Sequence, residues 1–172
     1  MADNITLNYG TMQTPINVLS FAWGESEILY FASFGDDIAS AKALLEKAWR
    51  RTVELNPSPL APKIKVAIEE YFKGNFAPID EVEVKMAGTA FQLKSWQALR
   101  TIPHGQTISY QEQAKRVGNI KAVRAIGGAN HANPIPLVVP CHRVIGKNGK
   151  MVGFGGGIDV KVWLLEHERA HA

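Results

Sequence analysis

Between Asn133 and Ile145 the chain reads Asn-Pro-Ile-Pro-Leu-Val-Val-Pro-Cys-His-Arg-Val-Ile, with prolines at 134, 136 and 140. A proline removes an amide donor and fixes φ, so neither a helix nor a central strand runs through three of them. The residues between the prolines are apolar. The segment is therefore expected to be stiff and buried, and it delivers Cys141, His142 and Arg143 to a fixed place. Cys141 is the only cysteine. It has no partner for an internal disulfide and cannot supply a multi-cysteine zinc site.

The rest of the chain reads as two modules. Ile5–Tyr9, Ile16–Trp23 and Glu27–Ser33 are rich in β-branched and aromatic residues and are punctuated by Gly10, Pro15 and Gly24, which predicts an antiparallel meander. Asp36-Asp37 caps a helix to about Arg51, with Ile38, Leu44, Leu45 and Trp49 as its candidate buried face. Asn56-Pro-Ser-Pro reads as a break, and a second helix spans about Pro62 to Phe72 and stops at Gly74. Pro78–Met86 reads as a strand or extended linker. The boundary falls near Ala87-Gly88, giving modules 1–87 and 88–172.

In the second module Thr89 caps a helix to about Thr101, with Phe91, Trp96 and Leu99 as its buried candidates. Ser109 caps a short helix to Arg116. Val117-Gly-Asn119 is a turn, and another short helix covers about Ile120 to Ala129. Helix, glycine-containing turn and helix form a helix-turn-helix pattern, with Lys121 and Arg124 on its second helix. A Gly-rich loop at 153–157 precedes a last helix over about Asp159–Arg169.

Charge separates the modules further. Residues 1–87 carry eight Lys/Arg against twelve Asp/Glu, and residues 88–172 eleven against four, with all five histidines in the second part. The second module suits a polyanionic partner, although a solvated basic face would look the same. No run of about 18 apolar residues predicts a membrane span. The first residues lack a basic segment followed by an apolar one, so no secretory leader is expected. A soluble, monomeric, cytoplasmic protein (nuclear in a eukaryote) is expected, where a thiol stays reduced.

A lone cysteine in apolar surroundings is commonly an inert core residue. Here His142 is adjacent, Arg143 adds positive charge that favours a thiolate, and Glu166 and Glu168 on the last helix are both able to orient a histidine. These residues suit an activated nucleophile, since a thiol needs a neighbouring base or cation at neutral pH.

The segment 133–144 resembles the active-site signature of the O6-alkylguanine-DNA alkyltransferases. The resemblance continues through Gln106-Thr-Ile-Ser-Tyr110, Ala122-Val-Arg-Ala-Ile-Gly-Gly-Ala129, Gly156-Gly157 and Lys161-Val-Trp-Leu-Leu-Glu-His-Glu168, in order and over nearly all of residues 89–169. It implies an α/β protein with a ribonuclease-H-like first domain and a mostly helical, winged-helix or helix-turn-helix second domain bound to the minor groove of duplex DNA. It implies that Cys141 accepts the alkyl group, His142 acts as base through a water, Glu168 fixes the His142 tautomer, and Tyr110 donates to the base's ring nitrogen. Arg124 would fill the space left by a flipped nucleotide, with Lys121, Ala125 and Gly127 also at the DNA. Asn133, Lys161, Val144, Phe154, Gly155 and Gly156 would brace the site or read the base. No cofactor and no metal are implied, and each molecule acts once. Phe154 and Gly155 depart from the family, which often has Tyr and Ser there. Two other activities fit the same residues: a non-catalytic lesion-binding protein, and a cysteine hydrolase using Cys141, His142 and a glutamate.

Overall fold

The computed structural model describes residues 4–172. The chain up to Gly88 forms one compact unit and Thr89–Ala172 a second. Among the described residues, no helix is long and apolar enough to cross a membrane.

The first unit is built on β1 (Ile5–Thr14), β2 (Asn17–Trp23), β3 (Leu29–Phe34) and β4 (Val53–Pro57), in the order β3-β2-β1-β4. The first three are antiparallel, as the sequence predicts. The tight turn at Pro15-Ile16 is closed by Thr14, whose Oγ1 accepts from Ile16 N and donates to Asn17 O at 2.6 Å. Two features differ from the sequence expectation. Gly10 lies inside β1 rather than ending it, because a Cβ there would come within 2.8 Å of Ser58 O and 2.9 Å of the Trp23 ring. The Asn56-Pro57 break is the end of β4, which pairs parallel to β1 from Ile5↔Val53 to Tyr9↔Pro57, so the sheet is mixed.

Helix α1 (Ile38–Trp49) joins β3 to β4, and Asp37 caps it by accepting from Ser40 N at 3.0 Å. Its buried residues are Ala41 and Leu45, one turn apart, which pack with Leu7, Tyr9, Ala22, Phe31 and Val53. Ile38 and Leu44, expected on that face, are exposed: Leu44 is turned about 100° from Leu45, and Ile38 is the first residue of the helix, one turn before Ala41. Helix α2 (Pro62–Phe72) buries Ile64, Ala67, Ile68 and Tyr71. The expected strand or linker at 78–86 contains α3 (Ala77–Asp80) and a single bridge from Val84 to Leu29.

The second unit opens with α4 (Ala90–Leu99). Its Thr89 cap and Gln92 side chain satisfy each other's backbone amides reciprocally. Trp96 and Leu99 are buried and Phe91 only partly so. Helix α5 (Tyr110–Val117) is capped by Ser109 and ends at Gly118, whose φ is 100°. Helix α6 (Val123–His131) begins later than expected: Lys121 lies in the preceding turn, its amide held by Asn119 Oδ1 at 3.1 Å. Three helices meet around two buried amides. Gln113 donates to Ser95 O and Asn130 Oδ1, and Asn130 returns a hydrogen bond to Gln113 Oε1 at 2.7 Å. Trp96 Nε1 donates to Ala129 O beside them. Buried amides have defined partner directions, so this knot fixes the angle between the helix-turn-helix elements more sharply than apolar packing would. A two-stranded parallel sheet, β5 (Ile108–Ser109) with β6 (Val144–Ile145), and α7 (Ile158–Ala170) complete the unit.

Asn130→Leu removes one partner of a buried pair and strands the other. It should lower the free energy of unfolding by about 2 kcal/mol. The urea midpoint should fall at unchanged m-value, and adding Gln113→Leu should recover part of the loss.

Candidate active site

The proline-braced segment is a buried turn system. Asn133 Nδ2 donates to Val139 O at 2.7 Å and its Oδ1 accepts from Ile135 N, so one side chain closes the loop across six residues. Ile135, Leu137, Val138 and Val139 are buried. Leu137 adopts φ 76°, a left-handed conformation that costs a non-glycine residue about 1–2 kcal/mol and persists only where packing enforces it. Pro140, at φ −84° and ψ 70°, forms an inverse γ-turn closed by Cys141 N donating to Val139 O at 2.9 Å. Cys141–Arg143 then form one 3-10 turn leading into β6. The thiol thus stands, partly accessible, at the end of a path with little conformational freedom.

Behind it lies a cluster of buried charge: His142, Arg143, Lys161 and Glu168. Glu168 Oε2 pairs with His142 Nε2 at 2.7 Å. Arg143 grips the same carboxylate, Nε donating to Oε1 at 2.8 Å and Nη2 to Oε2 at 3.0 Å, while Nη1 donates to Ile102 O. Burial alone would raise the Glu168 pKa, but His142 and Arg143 outweigh it and hold the carboxyl well below its ordinary range. Burial lowers the His142 pKa against the pull of Glu168. The stable arrangement is therefore a carboxylate, a guanidinium and a neutral imidazole carrying its proton on Nε2. His142 Nδ1 is buried and has no hydrogen-bond partner among the described residues, so the ring's basic lone pair is uncommitted.

The sequence left Glu166 and Glu168 open, and the structure brings Glu168 to His142. Lys161, Leu164, Leu165 and Glu168 are the buried residues of α7, spaced as one helical stripe that excludes the exposed Glu166. Anchoring the phase on Leu164-Leu165 would have selected Glu168. The expectation for Arg143 changes: its charge is spent on Glu168 rather than on the sulfur. The apolar surroundings push the Cys141 thiol pKa up, opposed by a hydrogen bond from Asn133 and the charge of Lys161. The resting sulfur is a thiol, so any nucleophilic use of it requires loss of that proton. Lys161 itself donates to Val144 O at 2.7 Å and Val152 O at 2.9 Å, joining β6 to the glycine loop.

Tyr110 is half-buried at the first residue of α5, and burial, followed by the proximity of Cys141, raises its pKa, so its hydroxyl keeps its proton. The Phe154 ring lies edge-on to His142 at 6.4 Å between centroids. Nothing lies within 4 Å of a Cβ built on Gly155, so the protein's own packing does not require glycine there. On α6, Arg124 and Ala125 are exposed and Gly127 partly so. Gly127 and Gly128 also have open space beyond their α-carbons. His104 bonds Arg143 Nη2 through Nδ1.

Fold and site together define a helix-turn-helix protein with a cysteine backed by a buried imidazole–carboxylate pair. The model of the 6-O-methylguanine DNA methyltransferase DNA-binding domain matches residues 90–170. A methylated-DNA–protein-cysteine methyltransferase of Salmonella typhimurium is 48% identical over 122 residues, which cover 71% of this chain and 69% of that relative. The Mycolicibacterium paratuberculosis protein of the same name is 39% identical over 166 residues, 96% of this chain and 94% of the relative. The crystal structure of Mycobacterium tuberculosis OGT in complex with DNA superposes with a TM-score of 0.79 at 38% identity, covering 96% of this chain and 94% of that one. The chain belongs to the methylated-DNA–protein-cysteine methyltransferase family.

Acid should weaken the fold through this cluster. Folding lowers the Glu168 pKa, so its contribution is complete above the ordinary carboxyl value of 4.5 and is lost as pH falls below it. His142 acts in the same direction, because the unfolded imidazole gains a proton below its ordinary 6.5 while the folded ring resists. Unfolding free energy, measured by urea titration, should decline steadily from about pH 6.5 downward. Glu168→Gln should flatten that slope and, by leaving Arg143 buried without its anion, destabilise the protein at neutral pH by about 3–5 kcal/mol.

Proposed function

We propose that this protein repairs DNA by moving a methyl or other small alkyl group from O6 of guanine in duplex DNA to Cys141, irreversibly and once per molecule. The observation that carries this reading is the uncommitted His142 Nδ1, on a ring whose Nε2 is paired with Glu168, directly beside the chain's one cysteine in a family named for cysteine methylation. The acidic first unit is read as a scaffold and the basic second unit as the DNA-binding and catalytic part. A reducing compartment containing DNA, the cytoplasm or a nucleus, suits a protein that depends on a free thiol.

In the proposed reaction the Cys141 proton passes through a water to His142 Nδ1 as the sulfur attacks the alkyl carbon. The S–C bond forms while the C–O6 bond breaks, and the electron pair remains with the guanine. Tyr110, whose hydroxyl stays protonated, donates a hydrogen bond to a ring nitrogen and disperses that charge. The guanine regains a proton in place of the alkyl group, so the net change exchanges S–H for S–alkyl. The carbonyl of Val144, fixed by Lys161, and the amides of Gly155 and Gly156 are suited to reading the base edge. No cofactor takes part in these steps.

The base has to leave the helix to reach the thiol, at a cost of a few kcal/mol. Arg124, exposed near the start of α6, is assigned to fill the vacated stack. Ala125, Gly127 and Gly128 leave the helix surface bare enough for a nucleic acid backbone to approach closely. Lys121, in the turn before the helix, is suited to a phosphate contact.

Intact-protein mass spectrometry after mixing with equimolar O6-methylguanine duplex should show a gain of one CH2 unit, mapped to the Cys141 peptide and absent from Cys141→Ser. Unmodified protein would favour a lesion binder, and repeated turnover of an ester or amide without DNA a hydrolase. Arg124→Ala should slow reaction with duplex DNA by roughly 100-fold while leaving reaction with free O6-methylguanine almost unchanged. Equal losses on both substrates would remove Arg124 from flipping.

A further inference from the structure

His104 lies in the loop between α4 and β5, where Gly105 turns the chain at φ 81°. The loop packs closely on the end of α7: a Cβ on Gly105 would lie 2.6 Å from Ala172 Cβ and 3.5 Å from Glu168 O. His104 Nδ1 is hydrogen-bonded to Arg143 Nη2. A guanidinium has donors only, so Nδ1 accepts and the His104 proton sits on Nε2.

This bond occupies the second hydrogen of Arg143 Nη2. Each terminal nitrogen carries two hydrogens, and those of Nη2 go to Glu168 Oε2 and His104 Nδ1. Nη1 donates to Ile102 O, and Nε to Glu168 Oε1. One loop, 102–104, thus supplies two acceptors to the terminal nitrogens of the guanidinium, in addition to the carboxylate. Glu168 takes its orientation from Arg143, and His142 takes its tautomer from Glu168.

We propose that His104 is a positioning residue for alkyl transfer, acting through Arg143 and Glu168 to hold His142 with its Nδ1 lone pair available to the thiol's proton. The proposal rests on the alkyl-transfer reading of Cys141 and His142. His104 touches neither substrate nor sulfur in this role. Without its acceptor one Arg143 hydrogen is unmatched in a buried place, and the guanidinium gains freedom to roll about its remaining bonds. The carboxylate and imidazole would follow, blurring the geometry on which proton removal depends.

The test compares His104→Leu, which fills the space without an acceptor, with His104→Asn, whose side-chain oxygen stands near the position of Nδ1. Single-turnover methylation of Cys141 by O6-methylguanine duplex is read by peptide mass. Leu should be slower by about tenfold, the scale of losing an outer partner of an oriented imidazole. Asn should remain close to wild type, and all three proteins should bind undamaged duplex equally. In parallel, ¹⁵N spectra of the wild-type rings at neutral pH should show both His104 and His142 protonated on Nε2, with the His142 signals of the Leu variant shifted or broadened. The proposal is overturned if Leu reacts at the wild-type rate, if Leu and Asn lose rate equally, or if His104 carries its proton on Nδ1. If wild-type protein takes up no methyl group, the alkyl-transfer reading fails by itself, and the ring spectra still decide whether His104 sets the state of His142.

Discussion

The Glu168 carboxylate, one hydrogen bond from His142 and two from Arg143, joins the last helix to the turn that carries Cys141. A buried carboxylate without partners would be protonated or expelled. Here the guanidinium keeps it ionised, and the ionised form in turn dictates which imidazole nitrogen holds the proton. Which His142 nitrogen is left with a free lone pair is thereby decided by a contact on the ring's other side. Removing any member leaves the others as buried polar groups without their partners, so the cluster is expected to act as one unit.

The second constraint is mechanical. Asn133, the left-handed Leu137, the γ-turn at Pro140 and the 3-10 turn that follows leave the Cys141 backbone little room to move. The strain at Leu137 is tolerated because its side chain and its neighbours are buried. Lys161 extends the same order outward, tying β6 to the glycine loop through two carbonyls. Reaction partners held at fixed separation lose less entropy on reaching the transition state, so rigidity here serves rate as well as stability.

Much of this arrangement is legible in the sequence because its signals are local. Caps at Asp37, Thr89 and Ser109, the proline-braced run and the cysteine with its histidine are all short-range patterns. The first unit was less legible where tertiary contacts override local punctuation. Gly10 looks like a strand end but is required by the closeness of Ser58 and Trp23, and Asn56-Pro57 looks like a break although parallel pairing with β1 makes it a strand. In the site, Arg143, Glu168, Ile102 and His104 come from three separate stretches, so no spacing rule could join them. The stripe of Lys161, Leu164, Leu165 and Glu168 did carry a usable signal, and it distinguishes the inward glutamate from Glu166.

The raised pKa of Cys141 bears on how long such a molecule remains usable. Oxidants and free electrophiles in a cell attack thiolates far faster than thiols. A sulfur kept protonated at rest is slow to be consumed by peroxide or by stray alkylating agents. Under the proposed single-use alkyl transfer, that protection sets the molecule's shelf life: the thiol is held in reserve until a substrate base is bound.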